Sequence, residues 1–134
     1  PIFLFDKKSN TRGLIHSGWK GSKDKIIDNA INIMIDKGSN PFNIFIVIGA
    51  SIHKCCYEIG EEIIRYFDQD CINVRDKKFY LSLQKQIVND LGKFSIPFNN
   101  IHIDKECTFT NYNLSSYRRD KDNAGRMISL LGQY

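Results

Sequence analysis

A glycine-rich stretch at residues 13–21 constrains how this chain can fold. It reads Gly-Leu-Ile-His-Ser-Gly-Trp-Lys-Gly, follows an apolar run and contains the only tryptophan of the chain. Because glycine tolerates backbone angles that other residues avoid, the stretch predicts a tight turn from a strand into a helix. His16 would lie at the strand end with Trp19 close by. The pattern indicates either a site walled by Trp19 or a plain turn with a buried Trp and a hydrogen-bonded His.

The apolar pattern along the rest of the chain predicts a mixture of strands and helices. Continuous apolar runs indicate buried strands, and four-residue spacing indicates helices. The predicted strands are residues 2–5, 11–17, 44–48, 101–103 and 126–131, and the predicted helices are one capped by Ser22, 61–67 and 80–94. Residues 49–60 are predicted to be irregular and residues 107–120 to form a polar loop. This order is not that of a doubly wound sheet and favours a single mixed α/β or α+β domain.

Composition limits the classes of function that the chain can have. With 134 residues, 42% apolar and 25% charged, it is a globular chain with one ordinary core. No apolar run approaches the roughly 20 residues of a membrane span, and no signal-peptide pattern is present, so we expect a cytoplasmic protein without a membrane partner. The net charge of +4 is mild. It suits an anionic small molecule and does not require nucleic acid.

Four cysteines are present without Cys-x-x-Cys spacing or a regular framework. In the absence of an export signal this usage predicts reduced thiols in the cytosol. The adjacent Cys55 and Cys56 are interpreted as a buried, inert pair rather than a nucleophile. Cys71 is interpreted as structural.

Three histidines are candidate metal ligands. His16 is the best placed, at a strand end beside glycines. His102 alternates with two isoleucines, which favours an outward-facing strand residue, and His53 lies in a loop with two cysteines. Catalytic zinc commonly takes three protein ligands, and no two candidates show a recognised ligand spacing. The residues alone leave open whether His16 binds a metal.

Three arginines near the C-terminus form a candidate anion-binding cluster. Arg118 and Arg119 are adjacent, and Arg126 opens the predicted last strand. The planar fork of arginine suits phosphate or carboxylate groups. The alternative is an exposed loop in which these arginines form ion pairs with Asp120 and Asp122. Such exposed ion pairs contribute little to stability.

Several segments, in order along the chain, resemble the motifs of one known family. Residues 14–21 look like Ala-His-Ala-Gly-Trp-Arg-Gly, and residues 49–60 look like Gly-Pro-Cys-Ile-Gly-x-Cys-Cys-Tyr-Glu-Val-Gly. Residues 107–108 match a Cys-Thr pair, and residues 116–120 and 125–127 resemble Ser-Tyr-Arg-Arg-Asp and Gly-Arg-Met. The family is that of the multicopper polyphenol oxidase or laccase-domain proteins, also described as zinc-dependent purine nucleoside phosphorylases.

The resemblance implies a β-sheet sandwich flanked by helices and a cytoplasmic enzyme. Family members are reported to split purine nucleosides such as adenosine, inosine and guanosine with phosphate, and some to cleave methylthioadenosine or deaminate adenosine. Their metal site uses two histidines and one cysteine. His16 matches the last ligand, and the remaining His and Cys are expected upstream of Pro1. Residues 1–134 would then be the C-terminal portion of one such domain, with Zn²⁺ as cofactor and copper as the less favoured alternative.

These observations lead to one leading hypothesis, an enzyme that takes a purine nucleoside and phosphate. Chemistry alone, without a family match, suggests that an arginine holds phosphate and an aromatic ring stacks on the purine. The candidates are Arg118, Arg119, Arg126, Trp19 and Tyr117. An apolar first strand from residue 2 predicts an uncovered edge, and therefore a homodimer or a missing N-terminal segment. The alternatives are a non-catalytic nucleotide- or RNA-binding module and an inactive split or degenerate fragment.

Overall fold

Strands and helices follow one another along residues 1–132, the part of the chain that the computed structural model describes. The strands are β1 (Ile2–Asp6), β2 (Thr11–Ile15), β3 (Ile44–Ile48), β4 (Glu58–Ile59), β5 (Ile72–Arg75), β6 (Lys78–Leu81) and β7 (Ile101–Ile103). The helices are α1 (Trp19–Lys23), α2 (Ile26–Asp36), α3 (Glu61–Ile64), α4 (Leu83–Leu91) and α5 (Tyr117–Asp120). None of these helices has the length and apolar character that crossing a bilayer requires. The predicted α+β class is confirmed.

The larger sheet has the strand order β2-β1-β3-β7. β1 pairs antiparallel with both β2 and β3, so that Ile2 lies opposite Ile15 and Ile48. β3 pairs parallel with β7. β1 therefore lies inside the sheet and its backbone is paired on both sides. The expectation that the first strand is an uncovered edge is wrong.

This sheet buries only one of its faces. Along β3, Ile44, Ile46 and Ile48 are in the core, whereas Phe45 and Val47 are 45% and 41% exposed. The side chains of a strand alternate between the two faces, and α2 and α4 supply core residues on one of them. A continuous apolar run therefore does not mean burial on both sides here. The other face, called the open sheet face below, carries Phe3, Phe5, Leu14, Phe45 and Val47, with Arg12 opposite Phe5 and His102 opposite Val47.

A smaller antiparallel sheet, β4-β6-β5, was not predicted. Its strands are two to four residues long, which is too short for an alternating pattern to be recognised. Its core consists of Tyr57, Ile59, Cys71, Leu81 and Leu83. α4 joins the two cores, because Leu83 packs in the smaller one and Ile87 and Leu91 pack in the larger one.

Several predicted element boundaries differ from the structure. The helix predicted after Ser22 is two helices, α1 and α2, separated by Lys25 in a left-handed conformation. Ser22 is not a cap, because it is buried inside α1 and its hydroxyl contacts the hydroxyl of Ser17 at 2.9 Å. The helix predicted at 61–67 ends at Ile64. Residues 124–132 form no helix or strand, so the predicted closing strand is wrong.

Candidate functional site

A cleft of about 1090 Å³ opens where β2 and β3 end. These strand ends meet because both strands run antiparallel to β1. Apolar lining comes from the open sheet face and from the irregular tail, through Phe3, Leu14, Val47, Met127, Ile128 and Leu130. Polar groups lie around it, including His16, Ser51, Tyr57, Asp104, Thr108, Tyr117 and Arg126. The cleft thus combines an apolar surface with a few hydrogen-bonding groups, as small-molecule sites commonly do.

His16 follows the last residue of β2 and lines this cleft. Its imidazole is exposed, and no residue in the described range 1–132 forms a hydrogen bond with the ring. A Cβ on Gly18 would lie 3.4 Å from Nε2, so the glycine leaves this nitrogen open. Gly18 itself has an ordinary φ of −78°. Glycine is therefore useful here for the space it leaves, and the expectation of unusual backbone angles is wrong at this position.

A second part of the lining is formed by two distant segments that are held together. Ser51 and Cys107 form a parallel bridge, and the amide of Thr108 donates to the carbonyl of Ser51 at 3.0 Å. The side chain of Gln84, in α4, donates to Ser51 Oγ at 2.8 Å and to the carbonyl of Ile52 at 3.0 Å. These bonds hold the two segments together, with Ser51 and Thr108 at the cleft.

Tyr57 is a buried phenol in the cleft lining. Burial raises the pKa of Tyr57, although the positive charge of Arg118 acts in the opposite direction. Arg118 lies over the Tyr57 ring at 5.1 Å from its centroid and donates to the carbonyl of Glu58 at 2.6 Å. The phenol therefore remains protonated at neutral pH and can donate a hydrogen bond to a ligand.

The structure brings half of the predicted site residues to the cleft. His16, Tyr117 and Arg126 line it, and Tyr117 is 64% exposed. Arg126 lies in the irregular tail and donates from Nη1 to the carbonyls of residues 124 and 125. Trp19 packs against the smaller core instead, and Arg118 lies behind Tyr57. Neither of these two side chains lines the cleft.

Arg119 is also absent from the cleft lining, and its guanidinium is occupied by the protein itself. Nη1 donates to the carbonyls of residues 108, 109 and 111, and Nη2 donates to the carbonyl of Leu114. Nε and Nη2 also contact the two carboxylate oxygens of Asp120 at 2.7 and 2.8 Å. These contacts use the donors that a phosphate would need, so the geometry favours Arg126 over Arg119 for that role.

Sequence reasoning did not select Ser51, Tyr57 or Thr108 as site residues. Tyr57 and Thr108 lie in the motif segments 49–60 and 107–108, which was the only signal for them. Their proximity depends on pairing between residues more than 50 positions apart. His102 is exposed on β7, as expected.

The burial of the cysteines in the structure differs in part from the prediction. Cys55 is exposed and Cys56 is half-buried, so the prediction of a buried pair is wrong. Cys71 is buried in the smaller core, which agrees with a structural role. All four thiols are free in the structure.

Comparison with known proteins identifies related sequences along the whole chain. A family model described as multi-copper polyphenol oxidoreductase laccase matches residues 1–133. A protein named purine nucleoside phosphorylase from Clostridium acetobutylicum is 37% identical over 139 residues, which cover 98% of this chain and 57% of that protein. Another of that name, from Borreliella burgdorferi, is 36% identical, with coverage of 89% and 54%. The chain thus spans somewhat more than half the length of these relatives.

Solved structures share the same fold. A hypothetical protein called YfiH from Bacillus licheniformis superimposes with a TM-score of 0.83 and 26% identity, covering 91% of this chain and 49% of that one. YlmD from Geobacillus stearothermophilus gives a TM-score of 0.85 at 21% identity, with coverage of 93% and 50%. The arrangement of sheets and helices described above is therefore found in about half of each of these larger chains.

Proposed function

The chain belongs to the multi-copper polyphenol oxidoreductase laccase family, and from this premise we propose that it forms part of the active site of a zinc-dependent purine nucleoside phosphorylase. The observation that carries the proposal is the cleft lined together by His16, Tyr117 and Arg126. In the proposed reaction an oxygen of phosphate forms a bond to the anomeric carbon of adenosine, inosine or guanosine. The glycosidic bond breaks, and the purine leaves with its electron pair and takes up a proton.

His16 fits the metal that the family implies. Its imidazole is exposed, has no partner within residues 1–132 and has open space beside Nε2. Catalytic zinc commonly takes three protein ligands, and His16 belongs to no three-ligand cluster of the described residues. The other His and Cys are expected from outside this sequence. When bound, Zn²⁺ would orient the oxygen nucleophile towards the anomeric carbon. Copper oxidation is less favoured, because multicopper chemistry needs several His-rich sites and the chain has three histidines.

Other groups in the cleft suit a nucleoside and phosphate. The exposed ring of Tyr117 offers a flat surface against which a purine can stack. Arg126 is the one arginine or lysine among the described lining residues, and its fork suits phosphate oxygens. The protonated phenol of Tyr57 and the hydroxyls of Ser51 and Thr108 can hydrogen-bond the sugar.

The test follows release of hypoxanthine from inosine and of adenine from adenosine, with phosphate and Zn²⁺ present. The chain is assayed alone and mixed with the part of the Clostridium acetobutylicum relative that it does not match. We expect turnover in the mixture, loss of turnover with His16→Ala, and normal turnover with His102→Ala, which changes another exposed histidine. Arg126→Ala should raise the KM for phosphate about tenfold or more, as expected for losing about 1.4 kcal/mol of binding. The exposed Arg65→Ala serves as its control.

Other outcomes would contradict the proposal. Turnover that survives His16→Ala would show that the metal assignment is wrong. Absence of turnover together with RNA binding that weakens steeply with salt would favour a nucleotide- or RNA-binding module. Absence of both would favour an inactive split or degenerate fragment. Three further predictions stand beside this one: cleavage of methylthioadenosine, deamination of adenosine and a cytoplasmic location. The first two are measured in the same assay.

A further inference from the structure

Three of the four cysteines lie together outside the cleft lining. The sulfur atoms of Cys55, Cys56 and Cys107 are all within 4.8 Å of one another. The sulfurs of Cys55 and Cys56 are 3.4 Å apart. The fold brings Cys107 to the other two through its bridge with Ser51. We call these three residues the thiol cluster.

The surroundings of the thiol cluster suit a bound cation. Cys107 is 7% exposed, and the amide of His53 points to its sulfur at 3.4 Å. Cys55 is exposed, which provides a path by which an ion can enter from solvent.

We propose that the thiol cluster binds one thiophilic d¹⁰ cation, Cu(I) or Zn(II), at a site separate from His16. Three sulfurs at the usual Zn–S distance of about 2.3 Å from one ion lie about 4 Å from each other. The observed spacing of the sulfurs agrees with this. Soft thiolate ligands select Cu(I) and Zn(II) over hard cations such as Mg²⁺ and Ca²⁺.

The fourth cysteine provides a contrast. Cys71 lies near Asp68 and Asp70, but Asp70 forms an ion pair with Lys85 at 2.8 Å. The amide of Asn89 also donates to Asp68, Asp70 and Cys71. These acceptors already have partners within the protein, so this second group is a hydrogen-bonded structural cluster. Cys71 is therefore the matched control for the thiol cluster.

The site has a consequence for the cleft. Ser51 and Thr108 line the cleft and are held together by the same bridge that places Cys107 in the thiol cluster. A metal that joins Cys107 to Cys55 and Cys56 would cross-link these two segments. Binding to the folded state alone should raise the melting temperature as the free metal concentration rises.

The test uses the whole chain, reduced and freed of metal under anaerobic conditions. Cu(I) and Zn(II) are added in separate titrations from a competing chelator, and the bound metal is measured by elemental analysis and by thiolate-to-metal charge-transfer absorption. We expect about one ion per chain, as three ligands around one ion predict, and protection of three of the four thiols from alkylation. The two titrations show which cation binds more tightly.

Variants decide whether the thiol cluster is the site. The double variant Cys55→Ser/Cys56→Ser changes the two more accessible ligands. It should weaken metal binding by more than about 100-fold, which exceeds the effect of changing residues that only contact the ligands. Cys71→Ala and His102→Ala should bind as the wild type does, and His16→Ala should keep the ion that protects the three clustered thiols from alkylation. The proposal is overturned if the double variant binds normally, if His16→Ala abolishes binding, or if the metal leaves all four thiols equally reactive. Formation of a disulfide without retention of metal would also overturn it.

Discussion

The guanidinium of Arg119 stabilises a stretch of irregular backbone. It donates to carbonyl oxygens of residues 108, 109, 111 and 114 and to the carboxylate of Asp120. Backbone acceptors that leave water need partners, and this segment has few from regular secondary structure. One side chain therefore takes the place of a strand or helix partner for several carbonyls.

This role predicts a difference between two adjacent arginines. Arg119→Ala should lower the melting temperature clearly, because it removes donors from several carbonyls at once. Arg118→Ala should lower it less, because Arg118 is exposed and donates to a single carbonyl, that of Glu58. Thermal unfolding followed by circular dichroism measures both. An equal or smaller shift for Arg119→Ala would contradict this assignment.

A second residue-scale prediction concerns Asp6, a buried carboxylate at the end of β1. Burial raises the pKa of Asp6, but hydrogen bonds from Lys8, Ser9 and Ser39 outweigh it, so that the pKa lies below 3.8. The ionised carboxylate therefore stabilises the folded state above pH 3.8. This stabilisation is lost as the pH falls through the lower pKa that Asp6 has in the folded protein. Asp6→Asn should be less stable than the wild type at neutral pH, and the difference should narrow in acid.

Urea unfolding at pH values from neutral to acidic tests this expectation. The exposed Asp36→Asn is the matched control and should show no comparable narrowing. A stability difference between wild type and Asp6→Asn that is the same at every pH would show that the ionised carboxylate does not contribute.

At the scale of secondary-structure elements, α2 packs on the larger sheet through one side. Ile31 has no exposed surface, whereas Ile33, two residues further on, is 54% exposed. Ile31→Ala should lower the free energy of unfolding by about 2–5 kcal/mol, because it leaves a cavity in the core. Ile33→Ala should change it by about 0.5 kcal/mol or less. Urea denaturation measures both, and similar losses would mean that α2 packs in a different orientation.

At the scale of the whole molecule, the open sheet face leaves several apolar side chains in contact with solvent. Phe45 and Val47 are exposed there, beside the cleft. Extended apolar patches of this kind commonly mark surfaces that associate. The sequence led us to expect a homodimer or a further segment that covers this part of the chain, and this stays a prediction. Its basis is now the open sheet face, because the first strand is not an edge strand.

We therefore expect the chain to self-associate with increasing concentration. Phe45→Ser should weaken this association, because it removes an aromatic ring from the open sheet face. Phe42→Ser is the control, since Phe42 is also exposed but lies in the turn before β3. Sedimentation velocity over a range of concentrations distinguishes them. A chain that stays monomeric throughout, or an equal effect of both substitutions, would contradict the prediction.

Much of the fold followed from local signals in the sequence. The apolar runs at residues 2–5 and 44–48 predicted β1 and β3, and four-residue spacing predicted α2 and most of α4. These signals are local because the period of a strand or helix is expressed within a few residues. The motif segments also contained His16, Tyr117 and Arg126, which line the cleft.

The sequence by itself thus determined the main elements, the α+β class and the family. Only the tertiary structure decided which face of the sheet is buried, that Arg119 binds backbone carbonyls, and that Cys55 and Cys56 meet Cys107. The short strands β4, β5 and β6 also appeared only there. The physical reason is that these features depend on contacts between distant residues. Such contacts form when the chain packs, and no local period in the sequence records them.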